Sequence, residues 1–125
     1  MNEQISIVEE FYKALGEGDR SGAFELLSED FEMVQAPSLP YGGSYKGKSA
    51  LADYFKKFGK SWKSARSEDV HYYSDKDKVI AHHKFIGEKS DGKKVEMPIV
   101  QIYTINDGKI SKAEPFYQDT HQIIG

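Results

Sequence analysis

Residues 95–119 read VEMPIVQIYTINDGKISKAEPFYQD. This stretch predicts two long strands joined at Asn106-Asp107-Gly108, because an Asn/Asp-Gly pair accepts the positive φ angles of a tight hairpin turn. The second strand ends with Tyr117 and Asp119 on one face. A phenol and a carboxylate are unusual on a strand face that only packs against the core. We therefore predict that this hairpin forms the back of a small-molecule pocket.

Two helices are predicted at the start of the chain. Apolar residues recur at spacings of three and four from Ile5 to Leu15, which is typical of a helix with one apolar stripe. Asp19 is a candidate N-cap for a second, shorter helix that carries apolar residues over 23–27. The pair predicts a helical hairpin that covers one side of the fold.

The next segment mixes a strand, a loop and a helix. Residues 31–36 predict a short strand that Pro37 stops. The segment 37–47 is rich in Pro, Gly and Tyr, which predicts irregular structure. A third helix is predicted over 49–60, with Ser49 as its candidate cap.

Four further strands are predicted in the second half of the chain. Turn-forming sequences at 74–77, 90–92 and 106–108 separate them, and strands joined by tight turns run antiparallel. Three helices, one intervening strand and a four-stranded meander make an α+β fold, in one domain over residues 1–125. The four strands are predicted over 65–74, 78–88, 94–105 and 109–119.

Composition restricts the class of protein. The chain has 125 residues and a mass of 14.2 kDa, enough for one domain with its own core. It has no cysteine, which excludes disulfides, thiolate zinc sites and a Cys nucleophile. A formal net charge of -3 with well-mixed charges argues against nucleic-acid binding. No apolar run approaches a membrane span of about 18 residues, so a cytoplasmic location is the default expectation.

Five segments taken together resemble a known superfamily. They are EFYKALGEGD (10–19), LLSEDFEM (26–33), YKGKSAL (45–51), INDGKI (105–110) and FYQD (116–119). Their order resembles the nuclear transport factor 2-like superfamily, and more closely its branch of SnoaL-like polyketide cyclases and ketosteroid isomerases. The resemblance implies a cystatin-like cone, in which a curved, mostly antiparallel sheet wraps on three N-terminal helices around a ligand cavity. It also implies a homodimer through the outer sheet face and a small apolar, polyketide-like or steroid-like ligand.

The residues that ketosteroid isomerases use do not match this chain. The resemblance places the family's helix-one tyrosine at Phe11, its aspartate base at Gln35 or Ala36, and its protonated aspartate at Val100. None of these side chains can do the proton chemistry of the residue it replaces. Tyr12 is adjacent to the first position, so a shift of one residue would restore the tyrosine. Steroid isomerisation by the known mechanism is therefore not expected.

Two other branches of the superfamily use different sets of residues. Similarity to polyketide cyclases implies an acidic group near the end of the last strands, which Asp119 could supply. Limonene epoxide hydrolase-like members use an Asp-Arg-Asp set inside the cone. Arg20 and Arg66 are the only arginines of this chain and lie at a helix start and a strand edge, so no matching set is visible.

Strand alternation, matched to the family, predicts which side chains enter the cone. It collects His83, Glu96, Tyr117 and Asp119 around one apolar space. A histidine near neutral pH and a carboxylate whose pKa is raised by desolvation would make an acid/base pair. The catalytic candidates are therefore Asp119, His83 and Tyr117. The full predicted inner set is Val79, Ala81, His83 and Phe85, then Glu96, Pro98, Val100 and Ile102, then Ala113, Pro115, Tyr117 and Asp119.

Aromatic residues are predicted to line the cavity. The chain has 8 Tyr and 7 Phe, and a deep apolar cavity consumes such side chains. The loop 41–45 could be a mobile lid or a plain surface loop. The candidate ligand-binding residues are Phe11, Tyr12, Gln35, Tyr54, Phe55, Phe58, Trp62, Phe85, Glu96 and Val100.

Purely structural interpretations stay open for the same residues. His83 could be an ordinary strand histidine, and Glu96 could be solvated at a strand start. Asp119 could cap the C-terminal turn or pair with Lys112 or His121 at the rim. No cofactor or metal is expected, because the four histidines lack the helical spacing of a zincin. His82 and His83 are adjacent in a strand and point to opposite faces, so they cannot hold one ion together.

Three functions compete at this stage. The first is a small acid/base enzyme that acts on an apolar, oxygenated substrate as an isomerase, cyclase or hydratase. The second is a non-catalytic carrier or sensor with the same cavity. The third is a dimerising interaction module, in which Met97, Ile99, Gln101 and Tyr103 face outward and pack across a two-fold axis.

Overall fold

The protein has the predicted α+β fold, with one six-stranded sheet. The structure, a computed structural model, describes residues 2–124. The helices are α1 (Glu3–Gly16), α2 (Arg20–Glu25), α3 (Lys48–Ser61) and α4 (His121–Ile124). The strands are β1 (Leu27–Gln35), β2 (Gly43–Lys46), β3 (Trp62–Asp75), β4 (Lys78–Lys89), β5 (Lys94–Asn106) and β6 (Lys109–Tyr117). Within this range, no helix is long and apolar enough to cross a membrane.

The hairpin of β5 and β6 lies at the centre of the sheet. The strand order is β2-β1-β6-β5-β4-β3. Strands β3 to β6 form the predicted antiparallel meander, whereas β1 pairs with β6 in parallel and with β2 antiparallel. At the central turn, Asp107 and Gly108 have φ angles of 50° and 73°. This is the pair of positive angles that the Asn-Asp-Gly sequence predicts.

Local hydrogen bonds set where the short helix and the third helix begin. Asp19 Oδ1 accepts from the Gly22 backbone N–H at 2.9 Å, which confirms Asp19 as the N-cap of α2. The prediction that Ser49 caps α3 is wrong. Its N-cap is Gly47, whose φ of 86° favours glycine. The Gly47 N–H donates to the Phe31 carbonyl at 2.7 Å, so β1 fixes the start of α3.

The segment 37–47, predicted as irregular, contains the edge strand β2. It pairs antiparallel with the end of β1, where Gly43 lies opposite Gln35. A strand of four residues is too short to show alternation, and its pairing with β1 is what makes it a strand. Residues 36–42 form the connecting loop. The last strand also ends earlier than predicted, at Tyr117, and α4 follows it.

Helices α1 and α3 cover one face of the sheet, which we call the inner face. The alternation predicted for β4 is confirmed, since the inward set Val79, Ala81, His83 and Phe85 is buried. On β6, Ala113 and Pro115 are buried and Tyr117 is half-buried, also as predicted.

The alternation predicted for β5 is wrong by one residue. Glu96 and Pro98 are exposed, whereas Met97, Ile99 and Tyr103 are buried. The cause is the register with β4, because residues directly opposite in an antiparallel pair share a face. The register pairs the inward residues of β4 with Met97, Ile99, Gln101 and Tyr103.

We predict that Gly87 is required for the packing of Trp62. A Cβ atom at Gly87 would lie 2.6 Å from the buried Trp62 ring, so the indole would have to move. Gly87→Ala should lower the free energy of unfolding by about 1–3 kcal/mol, as overpacked core substitutions do. Chemical denaturation measures this change. Gly59→Ala is the control, because nothing lies within 4 Å of its added Cβ; equal stability of the two variants would contradict the prediction.

Candidate ligand-binding site

Aromatic rings line the space between the sheet and the helices. Their centroids lie between 5.0 and 6.3 Å apart in neighbouring pairs, a range in which aromatic rings attract one another. One group packs around α1 and consists of Phe11, Tyr12, Tyr72 and Tyr103 with His83. The other packs around α3 and consists of Tyr41, Tyr45, Tyr54, Phe58, Trp62, Phe85 and Tyr117.

Three polar side chains of the first group, Tyr12, His83 and Tyr103, form a tyrosine–histidine cluster together with Gln101. The Tyr12 hydroxyl lies 3.3 Å from His83 Nε2. The Tyr103 hydroxyl lies 2.8 Å from the Tyr12 hydroxyl and 2.9 Å from Gln101 Oε1, and can donate to either. Gln101 Nε2 lies 3.4 Å from His83 Nε2. These contacts join α1, β4 and β5 at one point of the interior.

The groups around His83 determine which ring nitrogen carries the hydrogen and whether the ring is charged. His83 Nδ1 lies 3.3 Å from the carbonyl oxygen of Lys84, and a carbonyl only accepts, so Nδ1 carries the hydrogen. Nε2 then has a free lone pair that accepts from Tyr12 or Gln101. Burial lowers the pKa of His83, and the hydrogen bond to the Lys84 backbone only partly opposes this. His83 is therefore neutral at neutral pH, in the form of a general base.

The tyrosines beside His83 are hydrogen-bond donors. Burial raises the pKa of Tyr12 and of Tyr103 far above the ordinary value, so both keep their protons. When Tyr103 donates to Tyr12, the Tyr12 hydrogen is left for His83 Nε2. The hydrogen-bond chain then runs from the Tyr103 hydroxyl through the Tyr12 hydroxyl to the basic nitrogen of His83.

A second polar group, the loop-side cluster, consists of Gln35, Tyr41, Tyr54, Trp62 and Tyr117. Gln35 Nε2 donates to the Tyr54 hydroxyl at 3.0 Å. The Tyr41 hydroxyl accepts from Trp62 Nε1 at 3.1 Å and donates to the Tyr117 hydroxyl at 3.0 Å. Burial raises the pKa of Tyr54 and of Tyr117, so these phenols are also protonated.

The two clusters lie at opposite ends of one apolar wall. In the sheet register, His83 lies opposite Ile99, and Ile99 lies opposite Tyr117. Two strand spacings therefore separate His83 from Tyr117, which is about 10 Å. Phe85 covers part of the wall, with ring centroids 5.0 Å from Trp62 and 5.4 Å from Tyr117. This arrangement suits an elongated apolar molecule with an oxygen at each end.

Comparison with known protein families identifies the family of this chain. The family model described as SnoaL-like domain matches residues 8–113, which span α1 to the middle of β6. The chain belongs to the SnoaL-like domain family. A comparison with curated proteins finds no significant match.

Solved structures confirm the nuclear transport factor 2-like fold of this SnoaL-like domain. An NTF2-like protein of unknown function from Burkholderia pseudomallei is 16% identical, with a TM-score of 0.91 over 99% of this chain and 96% of that one. TerC, co-crystallised with polyporic acid, is 18% identical, with a TM-score of 0.88 over 99% and 100% of the two chains. A candidate polyketide cyclase from Xanthomonas campestris pv. campestris is 19% identical, with a TM-score of 0.82 over 98% and 95%.

The structure of this SnoaL-like domain contradicts the prediction that the Glu96 and Val100 side chains point into the interior. Glu96 is exposed on the outer sheet face, where its Oε1 lies 3.3 Å from Lys84 Nζ. Val100 is half-buried on the same outer face, and Gln101 faces inward beside it. The cause is the one-residue shift in β5. Among the described residues, the buried polar side chains are Gln35, His83 and Thr104, so no carboxylate is buried in the interior.

Asp119 is also placed differently from the predicted acid/base pair. Its Oδ1 accepts from the His121 backbone N–H at 3.1 Å, and its Oδ2 lies 3.5 Å from Gln122 Nε2. The carboxylate therefore caps the short helix α4, as the structural alternative held. The Asp119 N–H donates to Met97 Sδ at 3.4 Å. Of the three catalytic candidates, His83 and Tyr117 are in the interior and the Asp119 carboxylate is bound to α4.

Most of the predicted lining residues are found together. Phe11 and Tyr12 pack on the Tyr103 ring, with centroids 6.1 and 6.0 Å away. Phe55 lies further out, stacked on Phe24 of α2 at 5.7 Å, and it also contacts Tyr54. The residues that contribute to the loop-side cluster or its wall are Gln35, Tyr54, Phe58, Trp62 and Phe85.

Sequence reasoning missed three interior residues. Gln101 and Tyr103 were assigned to the outer face, although a phenol and an amide two residues apart in an apolar strand are a signal of a polar cluster. Tyr41 was treated only as part of a loop. Its burial has no local signal, because partners 21 and 76 residues away hold it.

The outer face carries polar groups that are already paired. A surface cavity of about 300 Å³ lies beside these groups and also reaches residues of the inner set. It is lined by Asp69, His71, His82, His83, Lys84, Glu96, Met97 and Pro98. His71 Nε2 lies 3.1 Å from Asp69 Oδ1. Over residues 2–124, no group of three His, Asp or Glu side chains is arranged to hold a metal ion.

We predict that His83 makes the protein less stable in acid. An unfolded histidine has a pKa of about 6.5, and burial lowers the pKa of His83 in the folded state. The unfolded state therefore binds more protons as the pH falls through about 6.5, so this contribution is present above that pH and is lost below it. Melting temperatures between about pH 7.5 and about pH 5 measure the loss.

His83→Gln should show a shallower fall in melting temperature over the same pH range, because the titrating group is gone. His82→Gln is the matched control, since His82 is the exposed neighbour on the outer face. The prediction fails if all three proteins lose stability with the same slope.

Proposed function

We propose that this SnoaL-like domain binds an apolar, oxygenated small molecule in its interior and acts on it by general acid/base catalysis. His83 carries the proposal. It is only 4% exposed, its Nε2 lone pair faces the Tyr12 hydroxyl, and the Tyr12 ring packs against its imidazole with centroids 5.4 Å apart. Burial lowers its pKa, so it is neutral and ready to accept a proton. No buried carboxylate among the described residues competes for that role.

In the proposed step, His83 Nε2 removes a proton from the carbon next to a substrate carbonyl. The C–H bond breaks, the N–H bond forms, and the electron pair moves onto the carbonyl oxygen as an enolate. For this step the single Tyr12 hydrogen turns from His83 Nε2 to this oxygen and stabilises it, while Tyr103 still donates to Tyr12. Such an enolate is common to three reactions. An isomerase returns the proton to a different carbon, and in a cyclase the enolate carbon attacks a second carbonyl of the same molecule. In the dehydration direction of a hydratase, the enolate expels a β-hydroxyl group as water.

The ligand class is supported by the walls of the site. Phe58, Trp62 and Phe85 present apolar ring surface on the loop side of the wall, and Tyr117 lies two strand positions, about 10 Å, from His83 along the sheet. A flat molecule with rings and two oxygens, such as a polyketide-like compound, matches this pattern. The polyporic acid co-crystallised with TerC and the candidate polyketide cyclase among the similar structures are in agreement with this class.

A non-catalytic carrier or sensor is the second candidate. The observation that favours it is the position of the acids: Glu96 is paired with Lys84 outside, and Asp119 caps α4. Without a carboxylate, the interior has neutral donors and one weak base. Such a site binds oxygenated ligands by hydrogen bonds whether or not it transforms them.

Hydrogen exchange at carbon separates the two candidates. The probe is 2-tetralone, an apolar aromatic ketone with acidic C–H groups, and proton NMR in D2O follows its exchange. We expect the protein to accelerate exchange, and His83→Gln to reduce this acceleration about 100-fold or more, which is what a general base contributes. Tyr12→Phe should reduce it about 100-fold through loss of the oxyanion donor.

His82→Gln is the control and should leave exchange unchanged, since His82 lies on the outer face. Binding of 2-tetralone without accelerated exchange would establish the carrier. Acceleration that survives His83→Gln would show that another group is the base.

We also propose a homodimer through the outer sheet face, with a different set of residues from the one predicted. Met97, Ile99, Gln101 and Tyr103 face inward and cannot form it. The outer face instead presents neighbouring apolar side chains across β3 to β6. They are Tyr73, Ile80, Val100, Ile102 and Phe116, of which Tyr73 and Phe116 are 56% and 54% exposed. A contiguous apolar surface of this kind is typical of an interface.

Size-exclusion chromatography with light scattering tests the dimer. Phe116→Glu combined with Val100→Glu should give a monomer, because the two residues are cross-strand neighbours at the centre of the face. Leu15→Glu is the control, since Leu15 is a 42% exposed residue of α1 and lies outside this surface. A wild-type protein that is monomeric throughout the concentration range would refute the proposal.

A further inference from the structure

Tyr41 is fully buried although it lies in a loop. The loop 36–42 connects β1 to β2, and loops rich in Pro and Gly normally run over the surface. Tyr41 is 0% exposed and Leu39 of the same loop is 5% exposed. The loop therefore inserts the phenol of Tyr41 into the loop-side cluster.

The position of the Tyr41 ring is a ready-made site for a phenol. Its hydroxyl accepts from Trp62 Nε1 at 3.1 Å and donates to Tyr117 at 3.0 Å. Its ring meets those of Phe58 and Tyr54 edge-on, with centroids 5.0 and 6.2 Å away. The surroundings thus supply a donor, an acceptor and aromatic walls to a single aromatic hydroxyl group.

Gln35 adds an unused acceptor at the same place. It is 2% exposed, and its Nε2 is occupied by the Tyr54 hydroxyl. Its Oε1 is buried and has no hydrogen-bond partner among the described residues. Its partner Tyr54 has its ring centroid 6.2 Å from that of Tyr41, so the amide lies at the edge of the same cluster. A buried carbonyl oxygen without a donor is unfavourable, which makes Gln35 a point of attachment for a ligand.

We propose that Tyr41 is an intramolecular plug in a subsite that binds a hydroxyl-bearing aromatic ring. Gln35, Trp62 and Tyr117 form that subsite, and the ligand displaces Tyr41 from it. The inference rests on the proposed function, because the ring belongs to the molecule that reaches His83.

The groups that Tyr41 leaves behind define the chemistry of the ligand. The indole N–H of Trp62 only donates, and Gln35 Oε1 only accepts. A phenol or enol hydroxyl satisfies the indole with one oxygen, because it accepts from Trp62 and donates to Tyr117 as the Tyr41 hydroxyl does. A hydrocarbon ring would leave the indole N–H unpaired, so the subsite discriminates against it.

The hydrogen bonds of the loop allow Tyr41 to withdraw. The Leu39 N–H donates to the Ala36 carbonyl at 3.1 Å and the Gly42 N–H donates to the Leu39 carbonyl at 2.9 Å, both within the loop. From outside it, the Tyr45 hydroxyl lies within 3.1 Å of the Tyr41 carbonyl and 3.2 Å of the Gly42 carbonyl. Withdrawal breaks these contacts and leaves the sheet ladder intact.

Trp62 reports directly on the plug, because it is the one tryptophan of the chain and has a single indole N–H resonance. The probes are 2-naphthol and naphthalene, titrated into ¹⁵N-labelled protein. We expect 2-naphthol to shift the indole resonance and to bind about tenfold or more tightly than naphthalene. Tyr41→Phe keeps the ring but removes its hydrogen bonds, so affinity for 2-naphthol should rise about five- to tenfold.

Two further variants sharpen the result. Tyr117→Phe, introduced beside Tyr41→Phe, should reduce the preference for 2-naphthol over naphthalene, because the ligand hydroxyl loses a partner. Tyr73→Phe is the matched control, since it removes a hydroxyl from an exposed tyrosine, and it should change neither affinity nor the indole resonance.

Several outcomes would overturn the plug. They are an indole resonance that does not move, no binding of 2-naphthol to any variant, or an affinity that Tyr41→Phe leaves unchanged or lowers. If 2-naphthol shifts only the His83 ring resonances, the interior binds ligands and the plug is wrong. If the indole responds as expected but 2-tetralone does not exchange, the subsite stands and the proposed catalysis is wrong.

Discussion

The register between β4 and β5 decides what the interior of this protein contains. His83 lies opposite Ile99, so every second residue of β5 from Val95 to Tyr103 faces the helices. A shift of one residue would reverse every side chain of that strand, because the side-chain period of a strand is two. With the observed register, Gln101 and Tyr103 meet Tyr12 beside His83, and Glu96 is left in water. The chemistry of the interior follows from this one pairing.

An interior without a buried carboxylate has a distinct electrostatic character. Burial disfavours charge, so it keeps the phenols of Tyr12, Tyr103 and Tyr117 protonated and His83 neutral. Hydrogen bonds among neutral groups then carry the polar interactions, and each such group costs free energy if it is left unpaired. Under the proposed function, such an interior favours ligands that are neutral and rich in oxygen. It also explains why Tyr41, a neutral phenol of the protein itself, fills the place between Trp62 and Tyr117.

Strand alternation in the sequence predicted the inward residues of β4 but not those of β5. Alternation along β4 is clear, with exposed His82 and Lys84 between buried neighbours, so the inward position of His83 was predicted correctly. In β5 both alternating sets contain apolar residues, and alternation could not choose between them. The family resemblance chose the wrong set and sent Glu96 inside. Asp119 was expected beside the ligand, but the backbone turns after β6 and the carboxylate caps α4, which no strand pattern could show.

Local signals in the sequence were sufficient for the framework. Asp19 at a helix start, the turn at Asp107 and Gly108, and the spacing of apolar residues in α1 each act over a few residues, so the α+β order was predictable. The site depends on contacts between distant parts of the chain. Tyr12 and His83 are 71 residues apart, and Tyr41 and Tyr117 are 76 apart. Only strand register and helix packing bring such groups together, and these are set by the burial of the whole core rather than by any local pattern.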